Sequence, residues 1–134
     1  MIYVLDSSAM IAFLRAEPGG SVVRDALEEA GSLVFAHASN FCETFYDFAR
    51  AGGEEAGRLA VATLESAGVR ERQELDRAFW QFAGLLKATH RRVSLADCFC
   101  LALAQRLGAR LLTADRHELE RLVPLGICDI QFIR

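Results

Sequence analysis

Several features that mark other protein classes are missing from this sequence. Its four cysteines include no C-x-x-C pair and its three histidines form no H-x(3–5)-H pair, so a zinc site is not expected. Cys98 and Cys100 lie in an apolar helical segment, and we expect the cysteines to be reduced thiols that pack as small core residues. No apolar run approaches the roughly 20 residues needed to cross a bilayer. No basic residue precedes the first apolar run, as one would in a secretory leader, so we expect a cytoplasmic protein.

Positive charge is also scarce. The chain carries 15 Lys and Arg against 18 Asp and Glu, a net charge of −3, which argues against a protein that coats nucleic acid by bulk electrostatics. This balance still leaves room for a local basic rim. Lys87 is the only lysine, and the guanidinium group of arginine suits bidentate contact with phosphate.

What the sequence does contain is an alternation of short apolar runs and helical segments. Strands are predicted at 2–5, 33–36, 69–72, between 108 and 115, and at 127–133. Helices are predicted at 9–14, 21–30, 37–50, 54–66, 75–88, from 94 to a turn at 108, and at 116–122. Because the connections are mostly shorter than about six residues, the pattern predicts one domain over residues 1–134, with a parallel sheet covered by helices on both faces.

Apolar spacing also predicts which helix faces pack inward. In the helix at 54–66 the inward residues are Leu59, Ala62 and Thr63. In the helix at 75–88 the inner stripe is Leu75, Phe79, Phe82 and Leu86.

Four carboxylates stand where strands end and helices begin. They are Asp6 after the first strand, Glu43 early in the helix at 37–50, Asp97 near the start of the central apolar helix, and Asp115 after the strand that follows it. Ligands of open α/β sheets bind at the carboxyl edge of the strands. Since helical side chains lean toward the amino end of their helix, a glutamate early in a helix can reach the same edge. We therefore expect the four acids to share one crevice.

Each of these acids also has a local explanation as a helix cap. Asp6 can cap a helix directly, while Asn40-x-x-Glu43, Ser94-x-x-Asp97 and Asp115-x-x-Glu118 have the spacing of capping boxes or their relatives. Nearby serines and threonines could cap these helices without concentrating negative charge, however. Four carboxylates in one crevice repel one another unless a cation lies among them, and oxygen ligands suit Mg²⁺ or Mn²⁺. Such an ion can activate water against a phosphodiester.

Taken together, these residues carry a resemblance to a known family. Asp6-Ser7-Ser8 follows a short amino-terminal strand, Glu43 lies in the third helix, and Leu95-Ala96-Asp97 and Thr113-Ala114-Asp115 come in register after them. In order and spacing they resemble a PIN domain, and in size and layout most of all the VapC-type toxin ribonucleases of prokaryotic toxin–antitoxin pairs. The resemblance spans nearly the whole chain.

The resemblance implies a fold, a site and an activity. The implied fold is a sheet of about five strands in the order 3-2-1-4-5. The implied site is a catalytic cluster in which Asp6, Glu43, Asp97 and Asp115 bind Mg²⁺ or Mn²⁺, with Thr113 or Ser7 as a secondary contact. The implied activity is endonucleolytic cleavage of RNA by a homodimer that a small antitoxin protein restrains. One departure is Ser8, where the family often has asparagine.

Other interpretations remain open on the sequence alone. Arg91, Arg92 and Arg116 could contact RNA phosphates, or could be solvated cations at helix ends. The domain could also be a catalytically silent binding module whose acids are only caps. In a weaker alternative, Asp6 would be the phosphorylated residue of an aspartyl phosphotransfer protein.

Overall fold

The sheet lies at the centre of the molecule. The computed structural model describes all 134 residues. Five short strands form one sheet: β1 (Ile2–Leu5), β2 (Leu33–His37), β3 (Val69–Arg72), β4 (Arg110–Thr113) and β5 (Asp129–Phe132). Every pairing is parallel, and the strand order is β3-β2-β1-β4-β5. The order 3-2-1-4-5 is therefore confirmed.

Helices connect the strands and cover both faces of the sheet. They are α1 (Ser7–Leu14), α2 (Gly20–Glu28), α3 (Ala38–Gly52), α4 (Glu54–Ala67), α5 (Arg77–Thr89), α6 (Leu95–Leu107) and α7 (Arg116–Leu119), and a 3₁₀ helix follows at Glu120–Leu125. None of these helices is long and apolar enough to cross a membrane. The short final helix predicted at 116–122 is one turn of α-helix followed by a 3₁₀ segment that contains Pro124.

Two apolar clusters fill the space between the sheet and the helices. Neighbouring residues of a strand point to opposite faces, so Val4 packs in one cluster and Leu5 in the other, and Leu111 and Leu112 divide in the same way. Because strands with two buried faces read as unbroken apolar runs, the central strands were recognisable from sequence. The predicted three-layer α/β/α architecture is confirmed.

The central helix α6 is fixed at both ends. The Ser94 hydroxyl accepts a hydrogen bond from the Asp97 N–H over 3.1 Å and caps its start. Gly108 ends it in the left-handed region, at φ 61°, where glycine has no steric penalty. Leu101 and Leu103 are fully buried against the sheet. This packing holds the amino end of α6 at the carboxyl edge of β1 and β4.

The helix face predicted at 54–66 was wrong, whereas the stripe predicted at 75–88 was right at Phe79 and Leu86 and wrong at Leu75. Leu59 is 68% exposed, and α4 instead packs through Gly57, Ala60 and Leu64. A Cβ on Gly57 would lie 2.8 Å from the Phe45 carbonyl oxygen. The helices α3 and α4 can therefore approach closely only because residue 57 is a glycine.

The stripe predicted for the helix at 75–88 is also displaced. Leu75 is 59% exposed. It lies outside α5, because Asp76 caps this helix and the first helical residue is Arg77. The buried residues of α5 are Phe79, Ala83 and Leu86. All four cysteines are free as expected, but Cys42 is exposed and is not a core residue.

Candidate functional site

Asp6 occupies the junction of β1 and α1. Its side chain caps α1, because Oδ1 accepts hydrogen bonds from the Ala9 N–H at 2.9 Å and from the Ser8 hydroxyl at 2.7 Å. The second oxygen, Oδ2, accepts a short hydrogen bond from the Thr113 hydroxyl. Asp6 is only 1% exposed, and burial raises its pKa to about 6 although these donors oppose the shift.

Thr113 and Ser8 tie the end of β4 to the start of α1. Thr113 Oγ1 also accepts a hydrogen bond from the Asp115 N–H at 2.9 Å, and Ser8 Oγ accepts one from the Ala114 N–H, again at 2.9 Å. Ser8, the departure from the family pattern, therefore holds both Asp6 and the segment that carries Asp115. Thr113, predicted as a secondary contact, hydrogen-bonds to the Asp6 carboxylate and to the main-chain N–H of Asp115.

Asp97 lies in the first turn of α6, and its side chain caps no helix. In a capping box the acid would accept a hydrogen bond from the Ser94 N–H, but Glu118 Oε2 accepts that bond instead, at 3.3 Å. Asp97 is only 6% exposed. Burial, a contact with Glu118 and the charges of Asp6 and Glu43 raise its pKa to about 10.

Three carboxylates form a compact group beside α6. Asp115 caps α7, since its Oδ1 accepts a hydrogen bond from the Glu118 N–H at 3.0 Å. One carboxylate oxygen from each of Asp97, Asp115 and Glu118 lies within 4.8 Å of the others. Glu118 was expected only as part of a capping box, so its place among the site acids is an addition. The Asp115-x-x-Glu118 spacing was the signal that could have revealed it.

Glu43 approaches the same group from α3. It is half-buried, and burial raises its pKa although hydrogen bonds to Ser7 and Asn40 oppose the shift. Asn40 Nδ2 donates to Glu43 Oε1 over 3.2 Å. The predicted capping box at 40–43 is not formed, because His37 caps α3 by accepting the Ser39 N–H at 3.1 Å.

Of the four predicted acids, Asp97 and Asp115 lie in this compact group with Glu118. Asp6 and Glu43 are not part of it, but their charges contribute to the raised pKa of Asp97. The Ser7 side chain hydrogen-bonds to Glu43. The three grouped ligand atoms are all carboxylate oxygens. Burial raises the pKa values of Asp6, Glu43 and Asp97, and the charges of neighbouring acids raise them further. Hard divalent cations prefer this donor set, so the residues fit Mg²⁺ or Mn²⁺.

The three predicted RNA contacts differ in how they are held. Arg91 and Arg92 are exposed and form no ion pair, on a turn that Lys87 fixes by donating to the Arg91 and Val93 carbonyl oxygens at 2.9 and 2.7 Å. Arg116 is engaged within the chain. Its guanidinium donates to the Arg134 carbonyl oxygen at 2.8 Å and lies 4.6 Å from the centre of the Phe132 ring.

Comparison with known proteins identifies the family. A family model described as the PIN domain matches residues 3–123. The chain belongs to the PIN domain family. Among curated protein sequences nothing matches this PIN domain.

Solved structures share the fold at low sequence identity. A chain of VapBC2 from Rickettsia felis, bound to a DNA fragment from its promoter, is 14% identical with a TM-score of 0.75, and 98% of each chain is covered. VapBC-1 from nontypeable Haemophilus influenzae is 19% identical with a TM-score of 0.73, covering 99% of this PIN domain and 98% of that chain. VapC20 from Mycobacterium tuberculosis, a toxin that cleaves the sarcin–ricin loop, is 21% identical with a TM-score of 0.70, covering 90% and 95%.

Proposed function

We propose that this PIN domain is a metal-dependent endoribonuclease that hydrolyses RNA phosphodiester bonds. One observation carries the proposal: Asp97 is a buried carboxylate that caps no helix, because Glu118 completes the cap of α6 in its place. Helix capping accounts for Asp6 and Asp115 but not for Asp97. A buried acid among other acids is stabilised by a cation.

In the proposed site, Asp6, Glu43 and Asp97 mainly bind Mg²⁺ or Mn²⁺. Asp115 completes the cluster or orients the attacking water, and Glu118 is added to the predicted set. When bound, the ion polarises a phosphoryl oxygen and lowers the pKa of a water molecule. The protein's part is to hold its carboxylates in place beforehand.

Neutral donors hold the carboxylates without cancelling their charge. The Thr113 and Ser8 hydroxyls fix Asp6. Asn40 fixes Glu43 in the same manner. No lysine or arginine forms an ion pair with any of the five acids, so their negative charge is available to a cation.

The same proposal covers partners and context. We infer that the chain is a single cytoplasmic domain, that it is the toxin of a toxin–antitoxin pair, and that it is a homodimer bound by a cognate antitoxin protein. Its support is the fold shared with VapBC structures along nearly their entire length. Arg91 and Arg92 are the proposed contacts to the RNA backbone, with Arg116 at the edge of the site.

The test compares wild type with Asp97→Asn on structured RNA, with Mg²⁺ and with a chelator. We expect cleavage only by the wild type and only with the metal. Asp25→Asn is the matched control, because Asp25 is an exposed acid of α2 whose ion pair is with Arg24 and not with any residue of the site. Equal cleavage by wild type and Asp97→Asn, or no cleavage under any condition, would remove the enzymatic proposal.

The alternatives have less support. A catalytically silent module would need the acids only as caps, and Asp97 is not one. An aspartyl phosphotransfer protein would need a lysine near Asp6, but the only lysine, Lys87, donates to the main-chain carbonyls of residues 91 and 93. Acyl-phosphate formation on Asp6 would select that alternative.

A further inference from the structure

One buried polar side chain of α3 has incomplete hydrogen bonding. Asn40 is fully buried, and its Nδ2 donates to Glu43 Oε1 at 3.2 Å. Its Oδ1 is the one buried side-chain nitrogen or oxygen in the chain without a hydrogen-bond partner. An unpaired buried carbonyl oxygen costs folding free energy, and such atoms are rare enough that each requires an explanation.

The orientation of the Asn40 amide follows from its neighbour. Reversing it would place Oδ1 against the Glu43 carboxylate, so that two acceptors would face each other. Nδ2 therefore points at Glu43, and Oδ1 is left without a hydrogen-bond partner.

Asn40 is not needed to start its helix. His37 caps α3, and the Asn40 carbonyl accepts a hydrogen bond from the Thr44 hydroxyl at 3.0 Å without using the amide. The single hydrogen bond of the Asn40 side chain thus goes to a proposed metal-binding acid.

A neutral donor is the suitable partner for such an acid. A glutamate has three rotatable bonds, so its carboxylate is fixed only if something holds it. An arginine or lysine would hold it too, but its charge would repel the cation. The amide of Asn40 restricts Glu43 while leaving its negative charge free.

We propose that Asn40 is a positioning residue of the nuclease site, whose Nδ2 holds the Glu43 carboxylate in its metal-binding orientation. The unpaired Oδ1 is the cost of having an amide donor at a buried position. A leucine of similar size would avoid that cost but could not hold Glu43. The inference rests on the proposed function and adds a residue to the site.

The test separates folding from metal binding. Asn40→Leu is compared with Thr44→Val, because Thr44 is a buried polar residue of the same helix whose hydroxyl donates to the Asn40 carbonyl oxygen and not to the Glu43 carboxylate. For each variant we measure the unfolding temperature without metal, Mn²⁺ affinity by isothermal titration, and RNA cleavage. Asn40→Leu should unfold at or above the wild-type temperature yet lose about 10- to 100-fold in Mn²⁺ affinity and cleavage rate. Thr44→Val should unfold earlier, with Mn²⁺ affinity within about two-fold of wild type.

A double-mutant cycle shows whether Asn40 acts through Glu43. Once Glu43→Gln has removed the carboxylate, adding Asn40→Leu should cause no further loss of Mn²⁺ affinity. Wild-type affinity and cleavage in Asn40→Leu, or independent losses in the cycle, would overturn the inference. Should Asn40→Leu fail to fold, Asn40→Ala, which has no side-chain donor, gives the same comparison. A wild-type protein that neither binds Mn²⁺ nor cleaves RNA would instead contradict the proposed function itself.

Discussion

The backbone N–H of Ser94 donates a hydrogen bond to Glu118 Oε2 over 3.3 Å, so an acid from α7 completes the cap of α6. The two bonded residues are 24 positions apart in the chain, so the bond links α7 to the start of α6. It also frees Asp97, the acid expected to make that bond. The buried carboxyl group of Asp97 is consequently available to a ligand rather than to its own helix.

The metal-free protein should become more stable when Asp97 is replaced by asparagine, which cannot ionise. Its pKa is raised to about 10 in the folded protein against about 3.9 in unfolded chains. The folded state therefore binds the extra proton, and stability falls as pH rises from about 4 toward the folded-state pKa. In chelator, Asp97→Asn should unfold several degrees above wild type at pH 8 and at nearly the same temperature at pH 4. Thermal unfolding at both pH values, with Asp25→Asn as control, checks this, and a lower unfolding temperature at pH 8 would contradict it.

Mg²⁺ should stabilise the protein more at high pH than at low pH. Carboxylates bind metal only when ionised, and the pKa values of Asp6 and Asp97 are raised to about 6 and about 10. Protons thus compete with the ion below and around neutral pH. The rise in unfolding temperature on adding Mg²⁺ should be larger at pH 8 than at pH 5, as measured by thermal unfolding in Mg²⁺ and in chelator. An equal rise at both pH values would argue against binding by these acids.

Glu118 should have two separable roles. Glu118→Gln keeps an oxygen that can accept the Ser94 N–H but removes one charge, so it should weaken Mn²⁺ binding about 10-fold without lowering metal-free stability at pH 8. Glu118→Ala also removes the cap and should be less stable than Glu118→Gln by about 1 kcal/mol. Titration with Mn²⁺ and urea unfolding measure the two effects. Identical stability of the two variants would show that the Ser94 bond contributes nothing.

Arg91 and Arg92 should contribute to RNA affinity but not to folding. Both are exposed and unpaired, so the double change to alanine should leave the unfolding temperature nearly unchanged, weaken RNA binding and reduce its salt dependence. Binding to RNA in a metal-free buffer, at several salt concentrations, measures this. Arg24→Ala on α2 is the control, and equal loss in that variant would indicate only a general charge effect.

Arg116→Ala should behave differently from that pair. Because the Arg116 side chain contacts Arg134 and Phe132, its removal should lower stability by about 1 kcal/mol. Thermal unfolding distinguishes the two outcomes. An unchanged unfolding temperature combined with weaker RNA binding would indicate that Arg116, like Arg91 and Arg92, contacts the RNA backbone.

The helix faces show where one-dimensional patterns fail. Apolar spacing favoured Leu59 as a core residue, yet α4 packs through Gly57 and Ala60, since two helices that approach closely need small residues between them. A large apolar side chain on such a helix is left outside. Spacing alone does not state the distance between helices.

By itself, the sequence determined the parallel sheet, its covering layers and the position of four acids after strands or early in helices, because buried strands read as unbroken apolar runs. The strand order 3-2-1-4-5 followed from the resemblance to PIN domains, and the structure confirms it. Only the tertiary structure decided which acids are caps and which are free. Ser94 has two acids within reach of its N–H, Asp97 on its own helix and Glu118 on another, and the choice between them depends on how α6 and α7 pack against the sheet. Local spacing describes the first option and contains no information about the second.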